Sequence, residues 1–216
     1  MIIEYKTILT PSEIEFTEKK SRFIGYAAPV VTEEQALEFV KSIKSKHRDA
    51  THNVYAYITR DNNLSRYTDD GEPSGTAGLP VLDSLRKAGF TDAAVVVTRY
   101  FGGTLLGTGG LVKAYSSAAS KAIAAAQPVI KRLSKIYKII CPYDLHGSLE
   151  YSLLKNNFKI ENTDFTDKVT IIVGIPFENA ELLEKTVVSV TSGRAKTELI
   201  GENFVNSDYL YRNNNE

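Results

Sequence analysis

With 216 residues the chain is long enough for one large domain or two small ones, and two is the expected division because domains most often run to roughly 100–150 residues. Apolar residues make up 43% and charged residues 24%, an ordinary globular balance, so a core can form without disulfide staples or structural metals and no membrane class is called for. Lys plus Arg is 26 and Asp plus Glu is 26, so the field of the whole chain gives no electrostatic reason to expect nucleic acid, and any such contact must rest on a local basic patch.

The N-terminus, "MIIEYKTILTPSE", carries Glu4 and has no apolar core of signal-peptide length, and no run reaches bilayer-spanning length. A cytoplasmic location and no membrane partner are the expectation. "EYKTIL" and "EIEFTEKKSRFIGYAAPV" have strand-like apolar and β-branched content, with a break at Thr10 and Pro11. Thr32, followed by Glu33, Glu34 and Gln35, predicts a helix start, and Ala36, Leu37, Phe39, Val40 and Ile43 continue at helical spacing. "ATHNVYAYIT" alternates as a strand does, with His52, Val54, Ala56 and Ile58 on one face and Asn53, Tyr55, Tyr57 and Thr59 on the other.

"RDNNLSRYTDDGEPSGTAG" is too rich in Asp, Asn, Gly, Ser and Pro to read as regular structure, and connections of that length are usually functional or disordered. "TAGLPVLDSLRKAG" reads as a helix with Leu82 and Leu85 on one side and Gly89 as its stop. "DAAVVVTRYF" is a buried strand. The glycine-rich stretch "RYFGGTLLGTGGLVK" then leads into a helix whose Leu111, Tyr115, Ala118, Ala122 and Ala125 step by four and three, with Lys113, Ser117, Ser120 and Lys121 on another face. Gln127 and Pro128 end it.

Beyond Leu133 the order becomes strand, helix, strand, strand, helix, strand, the ferredoxin-like βαββαβ. The expected boundary lies near 128–134, giving domains 1–130 and 131–216, with "YRNNNE" a frayed tail and no internal repeat. The lone Cys141, in "IYKIICPY", has no partner for an internal disulfide and reads as a buried structural thiol.

Glycine loops hold phosphate by exposing backbone N–H groups and aiming a helix N-terminus at the anion. The stretch after Phe101 has that context, yet a Walker A loop fails because Thr108 stands where lysine belongs, and a dinucleotide fingerprint fails because Val112 replaces the last glycine. Two readings stay open. Gly102 and Gly103 supply positive φ while Gly107, Gly109 and Gly110 form a tight helix start, or these glycines hold an anion with Arg99, Tyr100 and Lys113 flanking them.

A second candidate site is "RYTDDGEPSGTAG", where Asp69, Asp70 and Glu72 have the chemistry for a hard cation such as Mg²⁺, although the same residues are ordinary turn formers and no cofactor is required. Ser74 and Thr76 precede the helix and are candidates for its N-cap, with the amides beyond them a second anion site. His52, on the apolar face of its strand, is either a core histidine or a ligand. No nucleophile, base and orienting residue form a set, so catalytic residues are not nominated.

The segments "KSRFIGYAAPV", "THNVYAYI", "DDGEPSGTAGLPVL" and "VVVTRYFGGTLLGTGGLVKAY" resemble the IMPACT family in its bacterial, YigZ/YvyE-type form, over about residues 15–127. Residues 133–205 resemble more loosely the small C-terminal domain of its bacterial members. The resemblance implies an α+β, two-domain protein. Its N-terminal β-α-β domain would share the fold of a domain of small-subunit ribosomal proteins, elongation factor G domain IV, ribonuclease PH and the GHMP kinases. Its C-terminal domain would be ferredoxin-like, as in elongation factor G. Family members are described as translation regulators, the eukaryotic one acting on a stress-kinase pathway through its activator protein; that protein has an additional N-terminal interaction domain that is not expected here, so its partner is not carried over.

The resulting expectation is a non-enzymatic, translation-associated regulator that binds RNA or the ribosome, or a translation factor, through its N-terminal domain. Tyr55, Tyr57, Tyr67 and Tyr100 are its candidates for base stacking. The rivals are an enzyme or sensor for a small phosphorylated ligand or nucleotide held by the glycine loop, and a protein-protein adaptor. Oligomeric state has no signature in the sequence.

Overall fold

The computed structural model describes residues 3–60 and 63–207, so the segment "YRNNNE" lies outside the described residues. Its architecture is mixed α+β with two compact units, Tyr5–Ile130 and a second formed by Lys131 onward together with the first residues of the chain.

The first unit runs β1 (Glu4–Ile8), β2 (Ser12–Glu18), β3 (Ser21–Pro29), α1 (Glu33–Lys46), β4 (His52–Thr59), β5 (Leu64–Thr68), α2 (Gly78–Lys87), β6 (Ala93–Tyr100) and α3 (Thr108–Ala125). Five of its strands form a sheet in the order β2-β3-β6-β4-β5, with every neighbouring pair antiparallel. Alternation along the central strands sorts two cores. Phe23, Ala27, Val54, Ala56, Val95 and Val97 pack with residues of α2 and α3, while Ile24, Tyr26 and Val96 pack with Val40 and Ile43 of α1. Helices on both faces explain why the centre of β6 is apolar without interruption.

Thr32 caps α1 as its sequence predicts, accepting from the Gln35 amide at 3.3 Å. The alanines of α3 also have a packing reason. A Cβ on Gly25 of β3 would lie 2.8 Å from the Ala118 carbonyl oxygen, so helix and strand approach too closely for larger side chains. Ala125, expected on the buried stripe, is exposed, and Ala114, Ala119 and Ile123 are buried instead. The polar segment read as irregular contains β5, an edge strand paired with β4 from Tyr55↔Thr68 to Thr59↔Leu64.

The second unit contains most of β7 (Pro128–Cys141), then α4 (Tyr143–Lys155), β8 (Lys159–Phe165), β9 (Val169–Ile175), α5 (Ala180–Thr191) and β10 (Lys196–Ser207). Strand order β10-β7-β9-β8 is the ferredoxin-like arrangement. The Leu133 amide donates to the Ile3 carbonyl at 2.7 Å, which is why the first residues group with this unit. Cys141 is fully buried between Ile139, Leu149 and Val169, and burial pushes its thiol pKa up.

Candidate functional site

The site residues of the first unit lie in two loops at the ends of β5 and β6. The first, residues 69–77, is saturated with internal bonds. Asp69 Oδ1 accepts from the amides of Ala77 and Gly78 at 3.1 and 2.8 Å, and Oδ2 accepts from Gly75 at 2.9 Å. A carboxylate therefore occupies the N-terminus of α2, where its charge also suits the helix dipole. The expected cap from Ser74 or Thr76 is absent, for the Thr76 hydroxyl donates to the Pro73 carbonyl at 2.6 Å and Ser74 makes no described side-chain bond. The amides of Ala77 and Gly78 are thus already taken by Asp69.

Asp70 has φ 47° and Gly71 has φ 88°, and this left-handed pair turns the chain back toward β4. Asp70 Oδ2 accepts from the Asn53 amide at 2.6 Å, Oδ1 holds the Lys44 ammonium at 2.8 Å, and its carbonyl faces His52 Nδ1 at 2.7 Å. His52 is thereby a partly buried histidine hydrogen-bonded to the protein, with Nε2 lying 3.8 Å from Glu72 Oε1.

Glu72 is the centre of a buried cluster. Its Oε1 accepts from Arg99 Nη1 at 2.6 Å and from the Tyr115 hydroxyl at 2.7 Å. Arg99 is only 5% exposed. Residue parity puts it on the α2 and α3 side of β6, between the rings of Phe23 and Phe101. This corrects the expectation that Arg99 flanks the glycine loop as a phosphate ligand, because its guanidinium neutralises Glu72 in the core. Burial, reinforced by the bond to Glu72, pushes the Tyr115 pKa far up, so the phenol remains a donor. Asp69, Asp70 and Glu72 point at three different sets of protein groups. Among the described residues no group of three or more His, Cys, Asp or Glu side chains is placed to hold a metal ion.

The second loop is open. Gly102 has no positive φ; a Cβ there would lie 1.9 Å from the Lys20 carbonyl oxygen, so this glycine serves close backbone approach, and Gly103 at φ 77° alone supplies the expected left-handed turn. The Gly102 amide donates to Ser21 Oγ at 3.3 Å, the same oxygen that accepts from Arg99 Nη2 at 3.3 Å. Leu105 is 82% exposed and Phe101 46%.

Gly107, at φ 75°, caps the 18-residue helix α3 and its carbonyl accepts from Leu111. Among the described residues none accepts from the amides of Thr108, Gly109 or Gly110. Lys113 is exposed on the second turn, with no described ion-pair partner. Loop and helix start thus present N–H donors and one cation to solvent, a geometry suited to phosphate oxygens.

The stacking candidates divide. Tyr67 is 47% exposed, whereas Tyr57 is buried and donates to Glu33 at 2.7 Å. Tyr55 lies half-buried, parallel to Tyr57 with centroids 6.1 Å apart. Tyr100 faces α1, donating to Asp49 Oδ1 at 3.2 Å with its hydroxyl 2.9 Å from His47 Nδ1. His47, to which the sequence assigned nothing, is buried between Tyr100 and Tyr26, the latter 2.6 Å from Nε2. Burial, followed by the Lys46 charge, lowers its pKa below the usual 6.5.

Comparison with known proteins agrees with these two units. The Impact N-terminal domain family matches residues 19–123, and a domain of unknown function, DUF1949, matches residues 139–194. IMPACT family member YvyE of Bacillus subtilis (strain 168) is 35% identical over 196 residues, covering 90% of this chain and 90% of that protein. IMPACT family member YigZ of Escherichia coli (strain K12) is 38% identical over 161 residues, covering 73% and 79%. Protein IMPACT of Mus musculus aligns over 98 residues at 35% identity, or 31% of its length. A solved structure described as a hypothetical protein matches with TM-score 0.59 at 32% identity, covering 93% of this chain and 98% of that one. No helix among the described residues is long and apolar enough to cross a membrane. By both its domain matches and the span of its bacterial relatives, the chain belongs to the IMPACT family.

Proposed function

We propose that this protein is a non-enzymatic, translation-associated regulator that binds RNA, on the ribosome or free, through its first unit, with residues 101–113 as the phosphate contact. The observation that carries the reading is the open start of α3: the amides of Thr108, Gly109 and Gly110 have no described acceptor, and Lys113 lies exposed one turn on. Kinship in the IMPACT family supports the translation-associated part. The cytoplasm, where ribosomes are, is the location this implies. Neutral net charge is consistent with a contact that depends on a local patch of donors rather than on the whole-chain field.

The nucleotide-enzyme rival loses its metal ligands, since Asp69, Asp70 and Glu72 are bonded to α2, to Lys44 and Asn53, and to Arg99 and Tyr115. A protein adaptor retains one favouring observation, the exposed Phe101, Leu105 and Val112 around the same loop. A pull-down from growing cells, with and without nuclease, separates these. The proposal expects RNA and ribosomal proteins that disappear after nuclease; a partner retained in full after nuclease supports the adaptor and contradicts the RNA reading.

A further inference from the structure

The second unit contains a cavity of about 610 Å³, within the size range of small-molecule sites. It lies where α4 ends, β8 begins and β9 and β10 end, and Arg132 and Ser134 of β7 complete its wall. Two backbone bonds close α4, from Asn157 N to the Leu154 carbonyl and from Phe158 N to the Leu153 carbonyl, both 2.9 Å, with Asn157 left-handed at φ 57°. That turn sends Phe158 into the core and leaves Asn156 and Asn157 at the cavity. Elsewhere in the wall, a Cβ on Gly174 would lie 2.7 Å from Val205 Cγ1, so the glycine lets β10 settle against the end of β9.

The wall is rich in side-chain amides. Asn156, Asn157, Asn179 and Asn206 all line it. Asn156 spends its NH₂ on the Ser152 carbonyl at 2.8 Å and keeps its oxygen. Asn179 and Asn206 make no described side-chain bond, although Asn179 stands at the N-cap of α5. A primary amide carries an acceptor and two donors in one plane, the pattern that pairs with the C=O and N–H of a peptide group. Charges of both signs stand at the same wall. Arg132 Nη2 meets Glu178 Oε1 at 3.0 Å, with the side chains 38% and 58% exposed. A pair so exposed holds weakly, so a ligand bringing its own carboxylate and ammonium can exchange partners with it.

Other ligand classes fit this wall less well. Among the described wall residues the only aromatic ring is Phe158, which is buried, so a nucleobase finds no ring to stack on. Arg132 is matched by Glu178, and Lys159 is already engaged with the protein, so no surplus cation serves a phosphate. We propose that the cavity binds a short peptide of two or three residues, its backbone read by the asparagine amides and its two termini by Arg132 and Glu178. This site is independent of the RNA reading, which concerns the first unit.

The test is calorimetric titration of the full chain with trialanine, and with N-acetyl-trialanine amide, AMP and glucose as comparators. Trialanine is expected to bind with a Kd on the order of 0.3 mM, the affinity usual for a ligand of that size. The blocked peptide should bind about tenfold more weakly, having lost both charged contacts. Asn179→Leu combined with Asn206→Leu keeps the volume and removes two amides. It should weaken trialanine about tenfold while the melting temperature stays within about 3 °C of wild type. Independently of any variant, proton–nitrogen correlation NMR of the wild type should show the Asn179 and Asn206 side-chain signals moving as trialanine is added. Absence of trialanine binding, unmoved asparagine signals, or wild-type affinity in the folded double variant overturns the proposal. Tighter binding of AMP or glucose overturns the ligand class, and equal affinity for the blocked peptide overturns the role of Arg132 and Glu178.

Discussion

Two glycine-containing loops of the first unit, residues 69–77 and residues 101–107, each lead into a helix and behave oppositely. The former spends its groups on the protein: Asp69 on three amides, Asp70 on Asn53 and Lys44, Glu72 on Arg99 and Tyr115. The latter ends at a helix start whose first amides face solvent, beneath an almost fully exposed Leu105. Glycine content alone does not tell a locked loop from a receptive one; what separates them is that the first carries three acidic side chains, of which Asp69 satisfies its backbone donors, and the second carries none.

The contrast is most sharply broken at Glu72. Removing its carboxylate by Glu72→Ala leaves the buried Arg99 charge without a counter-ion, at an expected cost of about 3–5 kcal/mol. Urea unfolding measures it, and a loss below about 1 kcal/mol contradicts the cluster's role as a lock. Next in size is Gly102→Ala, where the new Cβ meets backbone rather than a movable side chain. A destabilisation of about 1–3 kcal/mol is expected by the same assay.

Gly109→Ala sharpens the comparison from the other side. That position has a negative φ and no atom within 4 Å of an added Cβ, so thermal melting should show unchanged or slightly higher stability, by up to about 1 kcal/mol. If Gly109→Ala is as damaging as Gly102→Ala, the division of the glycines into structural and open ones is wrong.

The smallest expected effect concerns pH. Burial lowers the His47 pKa below 6.5, so the unfolded chain takes up the proton more readily than the folded one. Its contribution is thus present above about pH 6.5 and is lost as pH falls below that value. Stability measured from pH 7 to pH 5 should decline less steeply in His47→Gln than in the wild type; identical slopes would argue against a buried neutral imidazole.

Local signals made much of this legible. Thr32 as a cap, the alternation of β4, the uninterrupted apolar centre of β6 and the βαββαβ order each depend on neighbours in the chain, and each is found where expected. The site was less legible because its partners are distant. Arg99 meets a carboxylate 27 residues away, and Tyr115 reaches the same oxygen across 43. Asp69 caps a helix that begins nine residues later, outcompeting the hydroxyls that stand closer. β5 was hidden because an edge strand needs few apolar residues, and Gly102 because close approach by Lys20 has no local signature.

The central claim is that the open loop contacts phosphate while the locked one does not. Its most direct test is the salt dependence of ribosome co-sedimentation for Lys113→Ala beside the wild type. Lys113 is exposed and unpaired among described residues, so stability should stay within about 0.5 kcal/mol. Weaker binding and a log-log salt slope shallower by about 0.7 are expected for Lys113→Ala. Equal affinity with an equal slope would contradict it.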